Sequence, residues 1–309
     1  LVSCETSKKA DEVKKDTAEN SLLGYVDPNI GTAHSRWFFY TPASMPFGMA
    51  KLGPSTNGSL GNEQGWEATG YDSRDNTIEG FANLHEFQIG GFLFTAMTGD
   101  LKTTPGDMEN PETGYRSSFD RKDEIARPGY YKVKLKDYDV TAELTATKRV
   151  GFHKYTFPKS DSAYVILDIG NELGESGDVK DAEVTYNPED RTFTGWVITY
   201  PKYVQKYQQG AEVKMFVAGE INKKAEEAGT FINDKQFKDV LHQKGEGAGI
   251  YLRFKTEENE AIEIKAGFSY TSAENALANL NAEAENLTFY EALSTATKTW
   301  EDELSKIMV

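Results

Sequence analysis

Runs of alternating apolar and polar residues between positions 131 and 268 constrain the fold of this chain more than any other feature. In the first run, Tyr131, Val133 and Leu135 alternate with three lysines, which is the pattern of a half-buried β-strand. Further alternating runs follow at 140–146, 151–157, 163–169, 192–200, 213–218, 249–254 and 261–268. Strands that follow strands without intervening helical periods predict antiparallel sheets packed face to face. The fold class is therefore mainly β, a large antiparallel β-sandwich.

Residues 24–111, which precede these runs, have a different character. They are dense in Gly, Asn, Thr and aromatic residues, and their apolar positions follow no regular period. We interpret this region as short strands joined by long ordered loops.

The end of the chain changes to helical periodicity. Thr271 followed by Glu274 forms a capping-box pattern that predicts the start of a helix, and Thr288 followed by Glu291 repeats it. The first helix has one apolar face, formed by Ala273, Leu277, Leu280 and Ala284. Two short helices are therefore expected to follow the sandwich.

The second of these helices carries a stripe of large apolar side chains that some other surface must cover. The stripe consists of Phe289, Leu293, Ala296, Trp300, Leu304 and Ile307. Two interpretations remain open: the stripe packs back on the sandwich of this chain, or it docks against a domain beyond Val309. For the second interpretation we take Trp300, Leu304 and Ile307 as the docking residues.

Charge and composition exclude some classes of partner. The formal net charge of the 309 residues is −15, and lysines and arginines occur in no run longer than short pairs. Most of such a surface repels a polyanion, so we expect no binding to nucleic acid. No stretch approaches the roughly 18–20 continuous apolar residues that cross a bilayer.

The single cysteine, Cys4, lies at the end of the sequence Leu-Val-Ser-Cys, which resembles a bacterial lipobox. Residues 5–21 follow it and are rich in Lys, Asp, Glu, Ser and Thr, which is typical of a flexible tether. We therefore predict that Cys4 carries a lipid, that residues 1–21 form a lipobox remnant and tether, and that the protein is anchored in the periplasm or at the cell surface. The membrane would be a partner only through this anchor.

Several ordered blocks resemble the N-terminal domain of glycoside hydrolase family 92, the calcium-dependent exo-α-mannosidases. The opening block at 25–32 reads YVDPNIGT, and PFGM at 46–49 and IEGF at 78–81 follow at fitting distances. The most specific blocks are RPGYYKV at 127–133 and TAELTATKRVGFHKYTFP at 141–158. The resemblance covers nearly all of the chain from Tyr25 to Ile307.

This resemblance implies a fold and a division of labour. Family members join a galactose-mutarotase-like super-sandwich through two linker helices to a C-terminal (α/α) barrel. The general acid, the general base and most calcium ligands of the family lie in that barrel. The resemblance thus implies a sandwich at 22–270, a helical linker at 271–309, and calcium in the full-length enzyme but none bound by this chain. It also favours docking over back-packing for the Trp300 stripe.

Candidate binding residues lie in loop-like sequence near aromatic residues. Sugars stack their C–H faces on aromatic rings, and Trp66, beside Glu67, lies in a loop rich in Gly and Asn. A substrate-binding role for Trp66 is implied by resemblance, with ordinary packing as the alternative. His85 and Glu86 are further candidates, although a lone histidine after an apolar run is also typical of a structural group. After His85 the sequence EFQIGGF departs from the small-residue turn usual in the family.

No spacing among the 49 acidic residues singles out a catalytic pair, so we expect no catalytic residue in this chain. The leading hypothesis is that the chain shapes the substrate subsites of a secreted exo-α-mannosidase. That enzyme would hydrolyse the α-mannosidic bonds of N-glycans or mannans by inversion, with mannose-containing glycans and the barrel domain as partners. The alternative is a stand-alone, non-catalytic glycan-binding lipoprotein.

Overall fold

The computed structural model describes residues 21–33, 40–56, 70–86, 89–107, 109–173 and 177–307. Within these ranges the chain is mainly β, with antiparallel sheets and helices at the C-terminal end, as the sequence predicts. No helix in the described ranges combines the length and the apolar character needed to span a membrane.

The first strands form the irregular region that the sequence predicts. They are short or widely separated, and residues 22–25, 111–113, 121–123 and 136–138 form 3₁₀ turns. The strands of this part are β1 (Ala43–Ser44), β2 (Lys51–Ser55), β3 (Thr77–Ile78), β4 (Gly80–Ala82), β5 (Leu93–Thr98), β6 (Ser117–Ser118) and β7 (Ile125–Arg127).

Most of the remaining strands are longer, and they contain the alternating runs to within one residue at the ends. They are β8 (Tyr130–Leu135), β9 (Val140–Ala146), β10 (Val150–Phe157), β11 (Ser160–Asp168), β12 (Val179–Asn187), β13 (Thr192–Thr199), β14 (Val213–Ile221), β15 (Glu227–Ile232), β16 (Lys235–Lys238), β17 (His242–Lys244), β18 (Ala248–Thr256) and β19 (Glu260–Ser269). Strands β12, β15, β16 and β17 were not predicted. A helix, α1 (Lys202–Tyr207), lies between β13 and β14 and was not predicted either.

Two large sheets form the sandwich. The eight-stranded sheet has the order β1-β2-β4-β5-β11-β18-β15-β16, and the nine-stranded sheet has the order β17-β12-β13-β14-β19-β10-β9-β8-β7. Strands β3 and β6 pair separately. The inner faces of the two sheets meet through aromatic rings: Phe94 on β5 and Phe193 on β13 pack edge to face, with ring centroids 5.9 Å apart. A continuous apolar core therefore fills the space between the sheets.

His153 is the polar exception in this core. Its Nε2 lies 2.7 Å from Oδ1 of Asn83, which belongs to the opposite sheet's side of the core, and its Nδ1 lies 3.1 Å from the Tyr155 hydroxyl. The ring is buried, and burial lowers its pKa to about 3, so the imidazole is neutral. His153 is therefore a structural residue of the core.

The two C-terminal helices are α2 (Ala273–Ala284) and α3 (Phe289–Leu304). The Thr288–Glu291 capping box of α3 is present as predicted. The cap of α2 is Ser272, whose hydroxyl accepts from the Asn275 amide, so the prediction of Thr271 as the cap is wrong by one residue.

Helix α2 packs on the outer face of the nine-stranded sheet, and Gly267 of β19 is where its backbone comes closest. A Cβ atom at Gly267 would lie 2.3 Å from the Ala276 carbonyl oxygen, so only glycine allows this approach. The buried face consists of Ala276, Leu280 and Ala284, whereas Leu277 is exposed. The predicted apolar face therefore differs from the buried face, because it includes Leu277 and lacks Ala276.

Candidate functional site

Three of the predicted site residues, Cys4, Trp66 and Glu67, lie outside the described residues. The described residues that border the segments 34–39, 57–69 and 87–88 contact one another. His85 Nδ1 lies 3.4 Å from the Tyr40 carbonyl oxygen, and the Thr56 amide donates to the Gly70 carbonyl. We call this region, defined by Tyr40, Lys51, Gly70, His85 and Glu86, the loop end.

His85 is the buried centre of the loop end. Its side chain is 1% exposed, and the ring lies directly against Gly70, where a Cβ atom would be 2.7 Å from Cε1. Burial lowers the pKa of His85 to about 4, with the Tyr40 carbonyl opposing this shift. The imidazole is therefore neutral at pH 7, and its Nδ1–H donates to Tyr40. This burial favours the structural alternative for His85, and its substrate-binding role stays a prediction.

Glu86, the next residue, is accessible. Its carboxylate forms an ion pair with Lys51, and both side chains are about one-third exposed. Its backbone pairs with Ile89 across the two residues that separate them, through hydrogen bonds of 2.8 and 3.0 Å. Tyr270 lies nearby, and burial together with the Glu86 carboxylate raises the pKa of Tyr270 to about 12. Glu86 thus presents a charged group at the surface of the loop end, and its role toward substrate stays a prediction.

A cluster of tyrosines packs against the residues of the loop end, and it was not predicted from the sequence. Tyr40 stacks on Tyr71 with ring centroids 4.3 Å apart. The hydroxyls of Tyr71 and Tyr131 donate to the two oxygens of Glu124, at 2.8 and 2.6 Å, and Arg121 donates to the Tyr71 hydroxyl. Burial raises the pKa of Tyr131 well above its ordinary value, so its hydroxyl remains a donor. These contacts fix the position of Tyr71, on which Tyr40 stacks and which follows Gly70 in the chain.

Two buried carboxylates deserve comparison with catalytic acids, because burial raises the pKa of each. Asp168 reaches a pKa of about 7, mainly through desolvation, and accepts a 2.6 Å hydrogen bond from Tyr115. Burial likewise raises the pKa of Glu79, which accepts from Ser55 at 2.5 Å and from Arg116 at 3.0 Å. Raised pKa values are common at catalytic sites, but also in structural networks. Both carboxylates accept hydrogen bonds from side chains of the sandwich, so we assign them to the network that fixes the strands.

The apolar stripe of α3 divides into two halves. Phe289 and Ala296 are buried on the chain's own sheet, and the Trp300 indole N–H donates to the Ser44 carbonyl at 2.7 Å. This half of the stripe therefore packs back on the chain, although Trp300 is only half-buried and its docking role stays a prediction. Leu304 is half-buried and Ile307 is 80% exposed, and docking through these two residues stays a prediction.

Other apolar side chains are exposed close to the end of α3. Phe47, 93% exposed, lies three residues after Ser44, the partner of Trp300. Tyr25, 88% exposed, ends the turn whose Leu22 amide donates to Glu301 of α3 at 3.2 Å. We call Tyr25, Phe47 and Ile307 the helix-end patch. Tyr25 and Phe47 each lie three residues from a contact with α3, and Ile307 follows this helix. Large exposed apolar side chains are typical of a surface that another structure covers.

The profile of the glycosyl hydrolase family 92 N-terminal domain matches residues 25–269, which is most of the chain. The chain belongs to this family. A search of curated proteins found no match. The membership agrees with the blocks that resemble the family and with the sandwich of two large antiparallel sheets.

Solved family 92 structures share the fold of this family 92 domain. The α-mannosidase BT3965 from Bacteroides thetaiotaomicron is 28% identical over 93% of the chain, with a TM-score of 0.81. Its complex with mannoimidazole gives a TM-score of 0.80 at the same identity and coverage of this chain. The inverting mannosidase BT2199 of the same organism is 21% identical over 93% of the chain, with a TM-score of 0.73, and shows the fold alone. The chain spans 36–38% of the length of these proteins.

The resemblance to family 92 also implied calcium, and we tested this chain's residues for a fit. Within the ranges that the structure describes, no group of three or more His, Cys, Asp or Glu side chains is arranged to hold a metal ion. Calcium needs six to eight oxygen ligands, of which carboxylates are usually several. The described residues thus show no carboxylate cluster that fits calcium, and calcium in a complete enzyme stays a prediction.

Proposed function

We propose that this chain is the N-terminal domain of an exo-acting α-mannosidase that hydrolyses α-mannosidic bonds of N-glycans or mannans with inversion of configuration. The observation that carries the proposal is the 28% identity to the α-mannosidase BT3965 over 93% of the chain. Because the chain spans 38% of that enzyme, the general acid and base are proposed to lie in a C-terminal (α/α) barrel outside these 309 residues.

The geometry that inverting hydrolysis requires supports a location of the acid and the base outside this chain. Inversion requires one carboxylic acid and one carboxylate about 6.5–9.5 Å apart, with room between them for the sugar and a water molecule. Asp168 and Glu79, the carboxylates with raised pKa, are engaged by Tyr115 and Arg116 inside the sandwich. The sandwich would instead contribute the wall of the mannose site at the loop end, through Trp66, Glu67 and Glu86.

The helix-end patch is where we propose that the barrel docks. A domain that covered Tyr25, Phe47 and Ile307 would remove their apolar surface from water, at about 25 cal/mol for each Å² buried. The occupant is the segment of the same protein that follows the two helices, since α3 ends at Leu304, beside this patch. Calcium would be bound in that segment when the enzyme is complete.

We further propose that Cys4 carries a lipid and anchors the enzyme at the periplasmic or outer face of a bacterial membrane. The support is the Leu-Val-Ser-Cys sequence at 1–4 and the polar segment after it. When the gene is expressed in a bacterium, labelled fatty acid should be incorporated into the protein and the protein should fractionate with membranes. A Cys4→Ser variant that still carries the label would contradict this assignment.

A second function is favoured by one observation. The Trp300 half of the stripe packs on the chain's own sheet, as expected for a stand-alone glycan-binding lipoprotein. Such a protein would bind mannosides without hydrolysing them, and no continuation of the gene would be needed. The two functions differ in whether the product of the longer gene releases mannose.

The test is the hydrolysis of an aryl α-mannoside by the gene product that includes the segment after Val309. We expect hydrolysis, loss of activity when calcium is chelated, and β-mannose as the first product seen by proton NMR. Trp66→Ala should lower kcat/KM about tenfold to a hundredfold, which corresponds to the loss of about 1.4–2.8 kcal/mol of transition-state stabilisation. Tyr207→Ala, which removes an exposed aromatic ring from α1, is the matched control and should leave kcat/KM unchanged. An inactive longer product, or α-mannose as the first product, would contradict the proposal.

A further inference from the structure

The outer face of the nine-stranded sheet is covered unevenly. Helix α3 packs on β8, β9 and β10, and helix α2 packs mainly on β14 and β19 and touches β13. Toward the other edge, β12 and β17 carry the exposed side chains of Thr185 and Lys244. A strip of sheet along β12 and β13 is therefore bordered on one side by the first turn of α2.

A row of four directly opposed residues crosses this strip. Lys244 on β17 is opposite Glu183 on β12, Glu183 is opposite Trp196 on β13, and Trp196 is opposite Phe216 on β14. Directly opposed residues of antiparallel strands point to the same face, with Cβ atoms about 4.5–5.5 Å apart. Trp196 and Phe216 thus lie side by side on a solvent-facing surface, where polar residues are the norm.

These residues form a concave site, which we call the sheet groove. Its volume is about 310 Å³. The groove is lined by Glu183, Thr185, Thr194, Trp196, Phe216 and, from the start of α2, Glu274. Pockets for small molecules begin at about 300 Å³, so the groove has room for one sugar ring rather than for a long chain. It combines an apolar floor with hydroxyl and carboxylate groups at its sides.

We propose that the sheet groove binds one neutral pyranose unit of a glycan, at a site separate from the loop end. The C–H face of a pyranose is apolar and stacks on aromatic rings such as those of Trp196 and Phe216. Its hydroxyls donate hydrogen bonds, which carboxylates accept more strongly than neutral groups do, and Glu183 and Glu274 supply two carboxylates.

Charge argues for a neutral ligand. Glu183 and Glu274 line the groove, and the formal net charge of the chain is −15, so a uronate or a sugar phosphate is repelled. The nearest cation, Lys244, is already engaged within the chain. Its ammonium lies 3.2 Å from an Asp181 carboxylate oxygen and 5.3 Å from the centre of the Trp196 ring. Lys244 therefore makes a cation–π contact with the Trp196 indole from outside the groove. Because its charge is already paired with Asp181, it attracts an anionic ligand only weakly.

The sheet groove and the loop end belong to different sheets. Glu86 follows β4 of the eight-stranded sheet, whereas the groove lies on the outer face of the nine-stranded sheet. Binding in the groove therefore needs none of the groups proposed to act at the mannose site. Only the choice of a mannoside as one probe rests on the proposed function; the assignment of a neutral pyranose does not.

The test is a titration of this chain, labelled with ¹⁵N at tryptophan, with α-mannobiose, maltose and glucuronate. The indole signal of Trp196 is identified by its absence in Trp196→Ala. We expect this signal to shift and saturate at millimolar concentration of at least one of the two neutral disaccharides, with weaker binding of glucuronate. In Glu183→Gln, which keeps the shape of the side chain, the same signal should report an affinity about three- to tenfold lower, and Tyr207→Ala should bind as the unchanged chain does.

The affinity of Trp196→Ala is measured by calorimetry and should be at least tenfold lower. If this variant fails to fold, Glu183→Gln still decides the outcome. The proposal is overturned if the Trp196 signal is unmoved by both disaccharides, if Glu183→Gln binds as tightly as the unchanged chain, or if glucuronate binds as well as the neutral sugars. Trp66→Ala separates this site from the proposed mannose site: it should impair hydrolysis by the longer product and leave the titration of the groove unchanged.

Discussion

The loop end and the sheet groove both combine aromatic rings with carboxylates, but they use these groups differently. Around the loop end, His85 is buried and Glu124 is bonded to two tyrosines, so the polar groups are satisfied within the chain. In the sheet groove, Trp196 and Glu183 are half-buried on regular strands and face solvent. The same residue types therefore stabilise the structure at the loop end and are free to bind a ligand in the sheet groove. It follows that substitutions at the loop end should cost stability, whereas those in the groove should cost little.

The largest effect is expected from the buried ion pair at the base of the loop end. Arg116 donates to Glu79 at 3.0 Å and to the carbonyl of Thr56, the last described residue before 57–69. Arg116→Met leaves Glu79 unpaired in a buried position, which should lower the free energy of unfolding by about 3–5 kcal/mol. Urea denaturation measures this change. Lys298→Met, which removes an exposed pair with Asp302, is the control and should change it by less than about 0.5 kcal/mol. A loss below about 1 kcal/mol in Arg116→Met would contradict the role assigned to the pair.

The pH dependence of stability tests the buried state of His85. Its pKa is about 4 in the folded chain and near 6.5 when unfolded, so between these values the unfolded chain binds more protons. The stabilising effect of the neutral ring is present above pH 6.5 and is lost as the pH falls toward 4, on the order of 3 kcal/mol. His85→Gln should therefore lose less stability between pH 7 and pH 4 than the unchanged chain. Some loss remains in this variant, because the pKa of His153 is also lowered by burial.

The control for this pH effect is His242→Gln, because His242 is exposed on β17. Unfolding in urea at several pH values from 4 to 7 gives the slope for each variant. If the free energy of unfolding changes with pH equally in His85→Gln, His242→Gln and the unchanged chain, the conclusion that His85 is buried and neutral is wrong.

The contact of Gly70 with His85 gives a smaller expected effect. Gly70 has φ +121°, and a Cβ atom there would also press on the His85 ring. Gly210 has φ +83° with open space around it, so it shares the unfavourable backbone angle without the contact. Gly70→Ala should therefore destabilise the chain by about 1–3 kcal/mol, and more than Gly210→Ala does. Equal losses in thermal unfolding would show that the ring of His85 does not lie where the structure has it.

The smallest effect is expected in the sheet groove. Glu183→Gln keeps the size of a side chain on the outer sheet face, so the free energy of unfolding should change by less than about 0.5 kcal/mol. The same denaturation experiment measures it. A loss comparable to that of Arg116→Met would remove the distinction between the two regions, because the groove would then also be a structural network.

The sequence predicted the fold better than the site, for physical reasons. Alternation is a local signal, and it located most of the long strands. Strand β12 also alternates, with Ala182, Val184 and Tyr186 buried and Thr185 exposed, so its pattern could have been found and was missed. The start of α2 was misplaced by one residue because Thr271 and Ser272 both carry a hydroxyl, and that of Thr271 is bonded to the Ser269 hydroxyl instead.

The site depends on contacts between residues far apart in the chain, which no local pattern shows. Tyr71 and Tyr131 meet at Glu124, and Trp300 meets Ser44 across 256 positions. His85 illustrates the limit most clearly: the sequence places it in a loop-like segment, but only the positions of Tyr40 and Gly70 reveal that it is enclosed. The Trp196–Phe216 pair likewise requires the register of β13 and β14.

A comparison of mannose release by these 309 residues alone and by the product of the longer gene, under the same conditions with calcium, tests the proposed division of the enzyme. We expect that the 309-residue chain folds but releases no mannose from an aryl α-mannoside, and that the longer product does. Hydrolysis by the 309-residue chain alone would contradict this division, because the acid and the base would then have to lie within the sandwich.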